Sequence, residues 1–105
     1  MNAAQLQPFQ FENETYIIDA IEIKQDILHL QISTEGEPEV RASSWEMVIN
    51  DRLIASDRAN VDFINNRTVY KLQFDGYEQI PSTFKLVPVT VEIKKQLEPI
   101  VLELD

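Results

Sequence analysis

Apolar residues along this chain recur with period two far more often than with the 3.6-residue period of a helix, and that pattern predicts strands. From Asp26 to Ser33, Leu28, Leu30 and Ile32 share one parity against His29, Gln31 and Ser33. From Thr68 to Phe74, Tyr70, Leu72 and Phe74 oppose Val69, Lys71 and Gln73. Trp45, Met47 and Ile49 alternate with Glu46 and Val48, and Asn50-Asp51 turns the chain into Arg52-Leu53-Ile54, which reads as a hairpin. Ala59 to Asn65, with Val61 and Phe63, reads as a short strand, and Ile100, Leu102 and Leu104 outline a closing one.

Two segments change parity midway. In Thr15 to Lys24, Ile17, Ile21 and Ile23 lie on one parity and Tyr16, Ile18 and Ala20 on the other, so either both faces are covered or a bulge near Asp19 switches the register. In Phe84 to Ile93 the switch falls at Pro88, which has no N–H to give a ladder, so this strand is expected at an edge or bending between sheets. Only Arg41 to Ser44 and the region around Lys94 to Leu97 leave room for a helical turn, and neither is long enough to bury a stripe. Turn signals at Glu35-Gly36-Glu37-Pro38, Asn50-Asp51, Asn65-Asn66, Asp75-Gly76 and Ile80-Pro81 are spaced as in sandwiches and barrels. With no linker, repeat or low-complexity tract, residues 1–105 read as a single antiparallel β-sandwich domain of about seven to eight strands.

Composition narrows the function. Eighteen acidic against nine basic residues give a net charge of −9, which repels phosphate backbones and anionic membranes, so nucleic acid is not an expected partner. No apolar run reaches the length of a membrane helix, so no membrane insertion of this segment is expected. The absence of cysteine removes disulfides, thiolate metal sites and thiol nucleophiles. The two glycines, Gly36 and Gly76, exclude glycine-rich phosphate loops, and the single histidine, His29, on the polar parity of its strand, has no nucleophile or co-ligands marked out beside it. The expectation is no enzyme and no cofactor.

Glu35, Glu37 and Glu39 share one turn and could gather calcium, but the spacing of a calcium loop is missing, and a solvated acidic hairpin is the simpler reading. Trp45 and Tyr70 sit on the apolar parity and are assigned to the core, with Tyr77 undecided. Asn13-Glu14-Thr15 and Asn66-Arg67-Thr68 match the glycosylation pattern by chance often enough to carry no weight. The candidate binding loops are Glu35, Gly36 and Glu37 with Glu39, Asp57-Arg58, and Asp75 to Gln79 with Tyr77. The expected partner is another protein, and with Pro88 guarding an edge the domain is expected to be a monomer or a weak dimer.

The C-terminal stretch VYKLQFDGYEQIPSTFKLVPVTVEIKKQLEPIVLELD runs strand, Ile-Pro loop, strand, short acidic strand. Its segment Ser82-Thr83-Phe84-Lys85-Leu86-Val87-Pro88-Val89, followed by Pro99 to Leu104, resembles the immunoglobulin-like extracytoplasmic domain C-terminal to the membrane helix in Gram-positive anti-sigma-factor-like proteins. The resemblance implies an immunoglobulin-like sandwich that binds or senses at the cell envelope, without the cytoplasmic and membrane segments of that family. A secreted or cytoplasmic protein-binding domain of proteinase-inhibitor type is the alternative. The location expected is extracytoplasmic if the sequence is part of a longer protein and cytoplasmic if Met1 is the native start.

Overall fold

Alternation along each strand becomes two apolar faces laid against each other. The computed structural model describes residues 7–93, and among them there are eight strands: β1 (Phe9–Phe11), β2 (Glu14–Lys24), β3 (Ile27–Glu35), β4 (Val40–Ile49), β5 (Arg52–Ile54), β6 (Arg58–Ile64), β7 (Arg67–Asp75) and β8 (Lys85–Ile93). They form a five-stranded sheet in the order β1-β2-β3-β7-β6 and a three-stranded sheet in the order β5-β4-β8. Every strand pairing is antiparallel. The expected all-β sandwich is what forms. The turn expected around Lys94 to Leu97 and the strand expected over Ile100 to Leu104 lie outside the described residues.

Tight turns set the registers. Asn50-Asp51 and Asn65-Asn66, as expected, and also Glu12-Asn13 and Gln25-Asp26, hold successive residues at positive φ, the conformation of the two-residue turn whose twist matches a hairpin. The pairs that flank them are Phe11 with Glu14, Lys24 with Ile27, Ile49 with Arg52 and Ile64 with Arg67. The switch in β2 is a bulge: Ile18 pairs with Ile32 and Ala20 with Gln31, leaving Asp19 as the extra residue. Tyr16 and Ile18 before it and Ile21 and Ile23 after it therefore face the same way.

The inward faces supply the core. Leu28, Leu30 and Ile32 of β3 and Tyr70, Leu72 and Phe74 of β7 are buried, as are Trp45 and Met47 of β4. Trp45 bridges the layers: its ring lies edge-on to Phe9 and Phe11 at 5.5 Å, to Tyr16 at 5.3 Å and to Tyr70 at 6.0 Å, the arrangement the ring quadrupoles favour. The Tyr70 hydroxyl donates to the Ala42 carbonyl, tying the sheets together by a polar bond inside the core.

Arg41 to Ser44 is not a helical turn but part of β4. Arg41, Ala42 and Ser44 are paired with Glu92, Val91 and Val89 of β8, and Ser43 Oγ donates to the Val89 carbonyl at 2.9 Å. A long-range ladder overrides the local preference of a short polar run. Pro88 lies opposite Trp45 on β8, the edge of the three-stranded sheet, where its missing N–H costs nothing on the open side.

Tyr16 carries a pH dependence. Burial, then the nearby Glu14 carboxylate, raises its phenol above the ordinary value of 10.0, while Arg41 and the Tyr70 hydroxyl pull the other way. The folded state thus binds this proton more tightly than the unfolded chain does. Its contribution is complete below the unfolded pKa and is lost as pH rises through and beyond it. The melting temperature is expected to fall above about pH 10, and less steeply in Tyr16→Phe; an equal slope in both proteins would refute this.

Candidate functional site

The loop residues singled out from the sequence fall into two groups at opposite ends of the five-stranded sheet. Asp57, Arg58, Asp75 and Tyr77 come together with the Gln25-Asp26 turn, because Ile27 pairs with Asp75 and Arg58 with Gln73. Glu35, Gly36 and Glu37 sit at the other end beside the Asn65-Asn66 turn, where the Gly36 N–H donates to the Asn66 carbonyl at 2.8 Å. Three of these residues are strand termini rather than loop: Glu35 ends β3, Arg58 begins β6 and Asp75 ends β7.

The first group is bonded internally. Arg58 reaches across β7 to donate to Gln73 Oε1 at 2.6 Å and to Asp75 Oδ1 at 2.7 Å. Asp57 Oδ2 accepts the Asp75 N–H at 2.7 Å, and the Asp57 N–H donates to the Gln73 carbonyl at 2.8 Å. The N–H groups of Gly76 and Tyr77 both meet the Asp26 carbonyl at 2.9 Å, with Gly76 at a φ of 85°. Tyr77 packs half-buried against the core. This is a clasp holding the start of β6 to the end of β7. Its Arg58–Asp75 pair is half exposed, so screening leaves it a modest share of stability.

Neighbouring residues hold the acidic turn. Thr68 Oγ1 donates to the Gly36 carbonyl at 2.6 Å, and Pro38 is buried. Among the described residues no three His, Asp or Glu side chains converge as ligands for a metal, so Glu35, Glu37 and Glu39 are not gathered around a common point. His29 is half-buried on the outer face of β3, between Glu22 of β2 and Gln73 of β7 in the ladder.

Apolar surface is concentrated at the margins. Leu53 is 62% exposed, Phe63 53%, Ile64 41% and Val87 38%. Leu53, opposite Val48, and Val87, opposite Glu46, lie on the outer face of the three-stranded sheet. A cleft of about 510 Å³ opens between β1–β2 and the approach to β8, with Phe9, Ile18, Phe84 and Leu86 as its apolar lining. Phe63 has the inward parity, paired with Thr68, but lies at the rim of its sheet with half its surface in water.

Phe63 and Ile64 belong to β6, one edge of the five-stranded sheet. Several other margins carry devices by which sheets discourage further pairing: β1 and β5 span three residues each, β2 is bulged at Asp19 beyond its pairing with β1, and β8 contains Pro88. Residues 40–46 of β4, beyond its pairing with β5, are a further margin without a paired strand among the described residues. β6 runs seven residues, RANVDFI, without proline, glycine or lysine, and its one arginine is folded back onto Gln73 and Asp75. The turn at Asn65-Asn66 makes Ile64 and Arg67 a closely hydrogen-bonded pair, so Asp62, Asn60 and Arg58 also point their backbone groups at β7. Ala59, Val61 and Phe63 point theirs outward, and among the described residues no strand is hydrogen-bonded to that side of β6, although β4 of the other sheet passes close to it. The sequence pattern predicts a strand here but not that, among the described residues, it lies at an edge of the sheet. The available signal was Val61 and Phe63 in a run with no gatekeeping proline or lysine.

The described residues form a two-layered antiparallel β protein in which β6 is an edge strand of the larger sheet. Comparison with protein-family models, curated proteins and solved structures finds no match to this chain.

Proposed function

We propose that this chain is a non-catalytic β-sandwich module that binds protein, and that it does so by offering the open edge of β6 to an extended strand. The observation that carries the reading is the outward set Ala59, Val61 and Phe63 on a seven-residue edge that also exposes Phe63 and Ile64. Backbone groups there supply affinity, and alternate side chains supply selectivity, as in strand addition generally. The polar groups a catalytic reading would use are committed elsewhere: Asp57 to the Asp75 N–H, Asp75 to Arg58, and Arg58 to Gln73.

An immunoglobulin-like domain at the cell envelope is part of the same proposal, supported by the resemblance of Ser82 to Val89, which runs into edge strand β8. Recovery of the native gene product in the envelope or extracellular fraction is the expected result; recovery in the cytosol would contradict the location.

The binding claim is tested by immobilising the chain and comparing capture by the wild type with capture by Ala59→Pro and Phe63→Lys. Both positions are exposed, and the Ala59 N–H points away from β7, so proline there leaves the β6–β7 ladder its donors. Capture is expected to fall by roughly tenfold in each, the equivalent of a hydrogen bond or two at the edge. Partners held equally well by all three proteins, or held by none, would remove the β6 reading.

A further inference from the structure

We infer that the strand which fits β6 best is β6 of a second copy of the chain, antiparallel about a twofold axis at Val61. This rests on β6 being the pairing edge and adds the partner and the register. Centred on Val61, the pairing sets Val61 against its own copy and Ala59 against Phe63 of the second molecule. Each residue whose N–H and C=O point outward then meets another such residue, and all of these groups are satisfied together. The exposed Phe63 ring passes over a small Ala59 rather than over another bulky side chain.

On the outer face the same register sets Asn60 against Asp62 and Arg58 against Ile64, so no like charges are directly opposed. A slip of two residues one way brings Asp62 opposite its own copy, a repulsive pair. The opposite slip places Phe63 against Asp57, which lies outside the strand and is already bonded to β7. The self-complementary pattern therefore selects one register, and the two sheets join into a continuous one with β6 no longer at an edge. An interface of one added strand is small, and each copy carries a charge of −9, so the association is weak and strengthens as salt screens that repulsion.

Sedimentation equilibrium of the full chain between about 10 µM and about 1 mM, the range of weak interfaces, is expected to show a monomer–dimer equilibrium that shifts toward dimer with added salt. Phe63→Lys and Ala59→Pro should each weaken it roughly tenfold. The chain has no cysteine, so single thiols report the register. Asn60 and Asp62 of the two copies form a pair without backbone hydrogen bonds, with Cα atoms about 4.5 Å apart, inside the range a disulfide spans. A mixture of Asn60→Cys and Asp62→Cys chains should form the mixed disulfide on oxidation, well ahead of either variant alone. A chain monomeric throughout, a dimer indifferent to both edge variants, or thiols that couple fastest between identical variants would overturn the proposal. A monomer whose capture of foreign protein is nonetheless abolished by Phe63→Lys would overturn self-pairing alone and leave β6 a binding edge.

Discussion

Deletion of Gln31 is expected to leave the chain with no cooperative unfolding transition, whereas deletion of Asp19 in the neighbouring strand leaves it folded. β3 is central in its sheet, paired on one side with β2 and on the other with β7, and its inward set Leu28, Leu30 and Ile32 is buried. Removing Gln31 inverts the parity of everything on one side of the gap. Either Ile32 and Thr34 or Leu28 and Leu30 turn to solvent, and a polar neighbour turns inward in their place. Each large aliphatic side chain is worth roughly 1.5–3 kcal/mol of burial, and with the unpaired polar groups the loss rivals the whole stability of a domain this size, about 5–15 kcal/mol.

Asp19 is the extra residue of a bulge, so taking it out joins Ile18 to Ala20 with alternation unbroken and Tyr16, Ile18, Ile21 and Ile23 still inward. Urea titration followed by near-ultraviolet circular dichroism checks both variants. A folded Gln31 deletion, or an unfolded Asp19 deletion, would show that the register described is wrong.

Replacement of Trp45 by alanine is expected to cost about 3–5 kcal/mol, the range for emptying a large aromatic site. Trp45 is 1% exposed and touches Phe9, Phe11, Tyr16 and Tyr70, so it is where strands β1, β2, β4 and β7 meet. Its indole Nε1 finds no acceptor among the described residues. Trp45→Phe therefore loses volume without breaking a hydrogen bond, and it should cost about 1–2 kcal/mol. Thermal melts should place the alanine variant on the order of 20 °C below wild type, with phenylalanine much closer. Near-equal melting of the two variants would mean that the ring contacts, rather than mere volume, do not hold the layers together.

Strand identity was legible wherever one face alternated cleanly. Leu28-Leu30-Ile32 and Tyr70-Leu72-Phe74 read directly as inward sets, whereas the parity change near Asp19 allowed a bulge or two covered faces and Pro88 an edge or a bend, and the pairings select the bulge and the edge. Arg41 to Ser44 did not read as strand because its ordering comes from β8, far along the chain, and not from its own pattern. Phe9 and Phe11 formed too short a run to announce β1, which exists because both rings pack on Trp45. Gln25 in a left-handed turn is likewise a demand of the β2–β3 hairpin rather than a preference of glutamine. The loop candidates lie beside turns, three of them as strand termini, and only topology could tell that Asp57, Arg58, Asp75 and Tyr77 share an end while Glu35 to Glu37 occupy the other. Phe63 had the parity of a core residue, and its exposure follows from the position of β6 at the rim, which no local pattern encodes.

The central claim is that β6 is an unpaired edge ready to accept a strand, and residue-resolved amide hydrogen exchange on a dilute sample, where self-association is negligible, measures it most directly. Alternation is predicted within the strand: Asn60, Asp62 and Ile64, bonded to β7, exchange slowly, and Ala59, Val61 and Phe63 exchange rapidly. Slow exchange at all six positions in dilute solution would mean that the outer side of β6 is already covered, and would contradict the account.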